Sequence, residues 1–132
     1  MTFEVSAKRV DASGSQVSAK ETLLTIDTSM AGRLDALNPV ELLLAALSAC
    51  IIKGIERVAG TLGIEYDSVH VALTAHRPED EARIDDIGYV ITVGTSADQA
   101  KLELLHKNLM KFGTIYNTVK SGTRLSGEIK AL

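Results

Sequence analysis

The spacing of hydrophobic residues changes along this chain, and each change marks an element. Near the start, Phe3, Val5, Ala7 and Arg9 alternate with their neighbours, a period of two that predicts a strand. Asp11 to Ser15 is a turn cluster, and Glu21 to Asp27 predicts a second strand. Thr28 to Leu37 reads as a loop. The pattern then alters sharply: between Leu42 and Ile52 only Ser48 is polar. Asn38 as cap, Pro39 at the first helical position and Glu41 three residues past the cap open a helix here. Gly60 and Gly63 close it. A helix apolar nearly all round is expected to be buried on every side. It is about 30 Å long at 1.5 Å per residue. Its apolar run is too short for a bilayer, which needs roughly 20 such residues.

Beyond it, Ser68 to Arg77 predicts a strand with Val69, Val71 and Leu73 on one face. Arg83 to Thr95 predicts another, containing Ile84, Ile87, Val90, Ile91 and Val93, with acidic Pro78 to Glu81 connecting the two. Ser96 and Gln99 suggest a capping box for a second helix whose apolar stripe is Leu102, Leu105, Leu109 and Phe112. Gly113 ends it, Thr114 caps a short helix from Ile115 to Ser121, and Gly122 closes that. Leu125, Ile129 and Ala131 suggest a last strand. The order ββ-α-ββ-α-α-β is an α+β arrangement, expected as one domain over residues 1–132. So few strands hardly wrap an all-apolar helix within one subunit, and burial in a homodimer is the expected solution.

Composition narrows the function. A net charge of -3 gives no electrostatic footprint for nucleic acid or an anionic membrane. Aromatic residues at 4%, with no Trp, leave little for stacking bases or sugars. No N-terminal stretch joins basic residues to an apolar run, so a cytoplasmic location is expected. The single cysteine rules out an intramolecular disulfide and fits a reducing compartment.

That cysteine, Cys50, lies inside the apolar helix and is the strongest nucleophile in the chain. On a helical wheel it shares a face with Leu43, Ala46 and Leu47 before it and with Lys53, Gly54 and Arg57 after it. Two cations there favour a thiolate, and Gly54 permits close approach of a backbone or a substrate. A free cysteine in an apolar helix is equally a small packing residue, so both readings stand. His70, His76 and His106 lack ligand spacing with a cysteine or carboxylate, so no metal is expected. Glu79, Asp80, Glu81, Asp85 and Asp86 read as a solvated hairpin. No phosphate-binding glycine loop follows a strand, and no cofactor is expected.

The thirteen residues from Asn38 to Cys50 (Asn-Pro-Val-Glu-Leu-Leu-Leu-Ala-Ala-Leu-Ser-Ala-Cys) resemble the signature helix of the OsmC/Ohr family, and weaker likeness covers nearly the whole chain. The resemblance implies an intertwined homodimer with central helices wrapped by sheets of both subunits. It also implies thiol-dependent reduction of organic hydroperoxides in oxidative-stress defence. Cys50 stands where the family has its peroxidatic cysteine. The family's second, resolving cysteine falls at Gly113, within the segment Phe112 to Val119 that includes Tyr116. Val40 occupies the position of the proline-adjacent glutamate of the peroxidase branches, while Glu41 matches the glutamate of an OsmC-like branch. The family arginine falls at Arg9 or Arg33.

On this reading the catalytic set is Cys50, Arg9 and Glu41, with Leu47, Lys53, Gly54, Arg57, Phe112 and Tyr116 about the substrate. A two-cysteine cycle is excluded, so an external thiol must clear the sulfenic acid. Apolar walls would select small hydrophobic peroxides. The alternative is a non-catalytic dimer that binds a small apolar or acyl ligand.

Overall fold

The computed structural model describes residues 1–122, so the expected strand about Leu125, Ile129 and Ala131 lies outside the described residues. The chain divides into two compact units, Met1–Ala45 and Ala46–Leu132.

The first unit holds a three-stranded antiparallel sheet in sequential order: β1 (Ser6–Asp11), β2 (Gly14–Ala19) and β3 (Thr22–Ile26). Register places Ala7 beside Val17 and Val17 beside Leu24. The predicted first strand begins three residues later than its alternation suggests, because Phe3 and Val5 precede the first ladder pair at Ser6. β2 was not foreseen. Its sequence, Gly-Ser-Gln-Val-Ser-Ala, is poor in the β-branched and aromatic residues that mark strands, and it is held by ladders on both sides. The turn at Asp11 is fixed by its carboxylate, which accepts from the Ser13 amide and hydroxyl.

The loop after β3 is organised by Asp27, which is buried. Its carboxylate accepts from the Ser29 hydroxyl at 2.6 Å, the Ser29 amide at 2.9 Å and the Arg33 amide at 2.9 Å. The loop delivers the chain to α1 (Pro39–Val58). The predicted capping box is present in both directions: Glu41 N–H donates to Asn38 Oδ1, and Asn38 N–H donates to Glu41 Oε1, each at 2.9 Å.

α1 ends in the second unit, whose core is Leu47, Ile51, Ile55, Ala59, Ile64, Leu105 and Leu109. The helix is not buried on every side within the described residues; one face of it is. Leu47, Ile51, Gly54 and Ile55 are buried, at the spacings of four, three and one that define a single stripe, while Leu43 and Ile52 stay 37% and 39% exposed.

β4 (Ser68–His76) and β5 (Asp86–Gly94) form a two-stranded antiparallel sheet in which Val71 faces Ile91 and Leu73 faces Tyr89. Val69, Val71, Leu73, Ile87, Tyr89, Ile91 and Val93 pack against the core, as alternation requires. Val90, counted among the apolar positions of the strand, lies on the opposite face and is 65% exposed. Ile84 precedes the strand, within a connection closed by His76 and Asp85: Asp85 N–H donates to the His76 carbonyl, and His76 Nδ1 lies 2.8 Å from Asp85 Oδ1. Within it Arg83 pairs with Glu81.

α2 (Gln99–Phe112) starts two residues later than the sequence suggests. Asp98, not Ser96, is the cap, and its carboxylate accepts from Lys101 N–H at 2.9 Å. Leu105 and Leu109 are buried and Leu102 packs against the core, but Phe112 is 51% exposed with the Lys111 ammonium 5.3 Å from its ring centre. Gly113 ends α2 and caps α3 (Thr114–Ser121), and Gly122, at φ 73°, ends α3 in the left-handed region.

Candidate active site around Cys50

Cys50 lies on α1 immediately before the buried Ile51, and its side chain is half-buried. The decisive neighbour is Gly113, which is buried and sits where α2 passes into α3. A Cβ built on Gly113 would lie 3.3 Å from Cys50 Sγ, 3.1 Å from the Leu109 carbonyl oxygen and 3.2 Å from the Tyr116 Cβ. Glycine is present here because of this crowding, since its φ of -76° suits any residue. Two thiols at these positions would be within bonding reach after small adjustment, as each Cβ of a disulfide lies about 3 Å from the far sulfur across the ~2.05 Å S–S bond.

The sulfur therefore borders Gly113, the N-cap residue of α3. Gly54, one turn beyond Cys50, fulfils the expected close approach. A Cβ there would lie 2.8 Å from Leu109 Cδ2, so the missing side chain is what lets α2 seat against α1.

The remaining predicted residues divide. Leu47 is in the core, and Tyr116 is half-buried against it with the Lys120 ammonium 5.8 Å from its ring centre. Lys53 and Arg57 are exposed positions of α1, and Phe112 is exposed on α2. Thus Cys50, Gly54 and Tyr116 stand around the Leu109–Gly113 turn.

In the first unit, Arg9 is an exposed residue of β1 opposite Ser15. Arg33 donates from Nε and Nη2 to the two carboxylate oxygens of Asp35, at 2.8 and 2.9 Å, and from Nη1 to the Ser13 carbonyl at 3.3 Å. That bidentate bond holds the Asp35 carboxyl below its ordinary range. Glu41 is occupied by the cap of α1.

Sequence reasoning overlooked a polar cluster in the second unit. Tyr89 on β5 places its hydroxyl 2.7 Å from His106 Nε2 and donates to Met110 Sδ at 3.2 Å; the Tyr89 and His106 rings meet edge to face. Burial pushes the Tyr89 phenol above its usual value. Neither residue carries a local motif, because the pair is made by packing a strand against a helix.

Residues 31–127 match the family of OsmC-like proteins. The chain belongs to that family. Its fold is the OsmC-like one, three helices with two antiparallel sheets among the described residues. An OsmC-like protein from Mycoplasma pneumoniae superposes with a TM-score of 0.85 at 14% identity, covering 92% of this chain and 89% of that one. OhrB, the organic hydroperoxide resistance protein of Bacillus subtilis, gives 0.64 at 22% identity over 92% of this chain and 93% of its own. An organic hydroperoxide resistance protein OsmC from Legionella pneumophila gives 0.67 at 20%, over 91% and 90%. No curated protein sequence matches significantly. Among the described residues no helix is long and apolar enough to cross a membrane.

Proposed function

We propose that this OsmC-like protein is a one-cysteine peroxidase that reduces organic hydroperoxides through Cys50 and works as a homodimer. The observation that carries the reading is the contact between Cys50 Sγ and Gly113. The chain keeps the thiol, and it keeps the spatial slot in which a second thiol would be its partner, but that slot holds no sulfur. Family membership and the hydroperoxide resistance proteins of like fold support the same chemistry.

The Cys50 thiolate attacks the terminal oxygen of a peroxide ROOH. An S–O bond forms, the O–O bond breaks, and the alkoxide leaves and takes a proton to become ROH. Sulfur is oxidised by two electrons to the sulfenic acid. One external thiol displaces water to give a mixed disulfide, and a second releases Cys50 with formation of the external disulfide. A cation is needed to hold the thiolate and the departing alkoxide; Lys53 and Arg57 on α1, or the partner subunit's Arg9, are the residues proposed for it, with Glu41 fixing the start of the helix. Gly54 and Tyr116 are the residues proposed beside the alkyl group, over the buried Leu47; Phe112, expected to share in this site, faces outward.

The family likeness supports the homodimer. Apolar side chains left exposed on each unit are consistent with it: Leu23 and Leu24 are 63% and 46% exposed on the first, and Val90 and Phe112 are 65% and 51% exposed on the second. Sedimentation of the purified protein at micromolar concentration should give twice the 14.1 kDa chain mass; a monomer would refute the dimer. Turnover is tested with cumene hydroperoxide and a dithiol reductant. The wild-type chain should consume peroxide and Cys50→Ser should not, whereas equal rates for the two would refute catalysis by Cys50.

A further inference from the structure

A cavity of about 240 Å³ lies between β5 and α2, and Cys50 does not line it. Its accessible apolar lining is the half-buried Ile91, Val93 and Leu102, which lie over the buried Ile55, Leu105 and Leu109. Such a lining binds water poorly, and a dry apolar cavity of roughly 150 Å³ is enough for benzene. Drug-sized ligands occupy roughly 300–1,000 Å³. The size therefore suits a molecule little larger than one aromatic ring.

Its polar groups set the chemistry. Tyr89 and His106 both line it, and their hydrogen bond to one another engages the phenol and one imidazole nitrogen. The Tyr89 hydroxyl is further engaged by Met110 Sδ. Glu103, also on α2, lines the cavity and is exposed. Among the described residues that line it, Glu103 carries the one carboxylate, Gln99 is a further polar group and none is a lysine or arginine; none of the described hydrogen bonds or ion pairs is made by Glu103.

We propose that this cavity is a binding site for a small arylalkyl amine, its ring on the Ile91–Leu105 lining and its ammonium on the Glu103 carboxylate. The site is separate from Cys50 and does not require the peroxidase reading. Charge complementarity selects the occupant: an ammonium gains a charge-assisted hydrogen bond, a neutral alcohol gains only burial of its ring, and a carboxylate is repelled.

The test is titration of the full chain with 2-phenylethylamine, 2-phenylethanol and phenylacetate, followed by calorimetry and by amide chemical shifts. The amine should bind with shifts centred on Ile91 and Leu105, about two- to fivefold tighter than the alcohol, the size of an ion pair to an exposed carboxylate. Phenylacetate should be weakest. Glu103→Gln, an exposed substitution, should bring the amine to the level of the alcohol, while Cys50→Ser should leave it unchanged. Val93→Phe should fill the cavity and abolish both; should that chain not fold, Glu103→Gln still decides. Equal affinity of wild-type and Glu103→Gln chains for the amine, tighter binding of phenylacetate, or no binding of any of the three would overturn the proposal.

Discussion

Cys50 Sγ and Gly113 are in contact so close that a methyl group on Gly113 would lie 3.3 Å from the sulfur. The two residues come from different elements, α1 and the α2–α3 junction, and only the folded core of the second unit brings them together. The contact sets both the chemistry open to the thiol and the substitutions the site tolerates.

Replacing Gly113 by cysteine should convert the one-thiol site into a two-thiol site. Mild oxidation of Gly113→Cys should remove both free thiols without forming covalent dimers, seen by thiol titration and non-reducing electrophoresis. The closed loop is long, so the cross-link should stabilise the fold by on the order of 2–4 kcal/mol, less whatever strain the crowded turn adds, and raise the thermal midpoint. Retention of two titratable thiols under oxidant would contradict the contact.

Gly113→Ala tests the crowding without chemistry. Its methyl meets the Leu109 carbonyl, the Tyr116 Cβ and the Cys50 sulfur together, and overpacking of this kind costs roughly 1–3 kcal/mol. Combined with Cys50→Ala, the loss should be smaller than the sum of the two single losses, because the second change removes one of the three clashing atoms. Chemical denaturation of the four proteins measures the coupling; strict additivity would mean the sulfur is not in contact.

Gly54→Ala probes the seating of α2 on α1. Alanine gains roughly 1 kcal/mol of helix propensity over glycine, yet here its Cβ would lie 2.8 Å from Leu109 Cδ2. A net destabilisation is expected, with Leu109→Ala in the same chain relieving part of the clash. A Gly54→Ala chain more stable than wild type would show that Leu109 can move aside freely.

Acid stability should depend on Asp27. The hydrogen bond from the Ser29 hydroxyl, then that from the Ser29 amide, holds its carboxyl below the ordinary range. A carboxylate with a depressed folded-state pKa stabilises the fold above its unfolded value, near 4, and loses that contribution as pH falls through the lower folded value. Asp27→Asn should therefore lower stability at neutral pH and flatten its decline below about pH 4. Thermal midpoints between pH 2 and pH 7 check this, and parallel curves for the two proteins would argue against it.

What was legible in the sequence was local. The cap of α1 could be read because Asn38 and Glu41 are three residues apart and bond only to each other's backbone. Alternation placed β4 and β5 to within a few residues, since each has one core-facing side. β2 escaped because its identity comes from two neighbouring strands and not from its own residues. The cap of α2 was misplaced because Thr95, Ser96 and Asp98 are all capping types. Thr95 is committed instead to the Ala97 amide and the Glu65 carbonyl, which leaves Asp98 to cap.

At the site, the family resemblance named Cys50 and Gly113 as partners, but spacing could not show their contact, nor that Phe112 turns outward while Tyr116 turns in. Tyr89 and His106 were invisible for the same reason. Their meeting depends on tertiary packing.

On the proposed reading, Cys50 is a peroxide-reactive thiol and not a packing residue. The most direct test of that claim is to treat the purified chain with an excess of cumene hydroperoxide in the presence of dimedone, which traps sulfenic acid, and to map the product by mass spectrometry. One dimedone adduct per chain, located at Cys50 and formed faster with cumene hydroperoxide than with hydrogen peroxide, is the expected result. An unmodified Cys50 after prolonged exposure would contradict the claim.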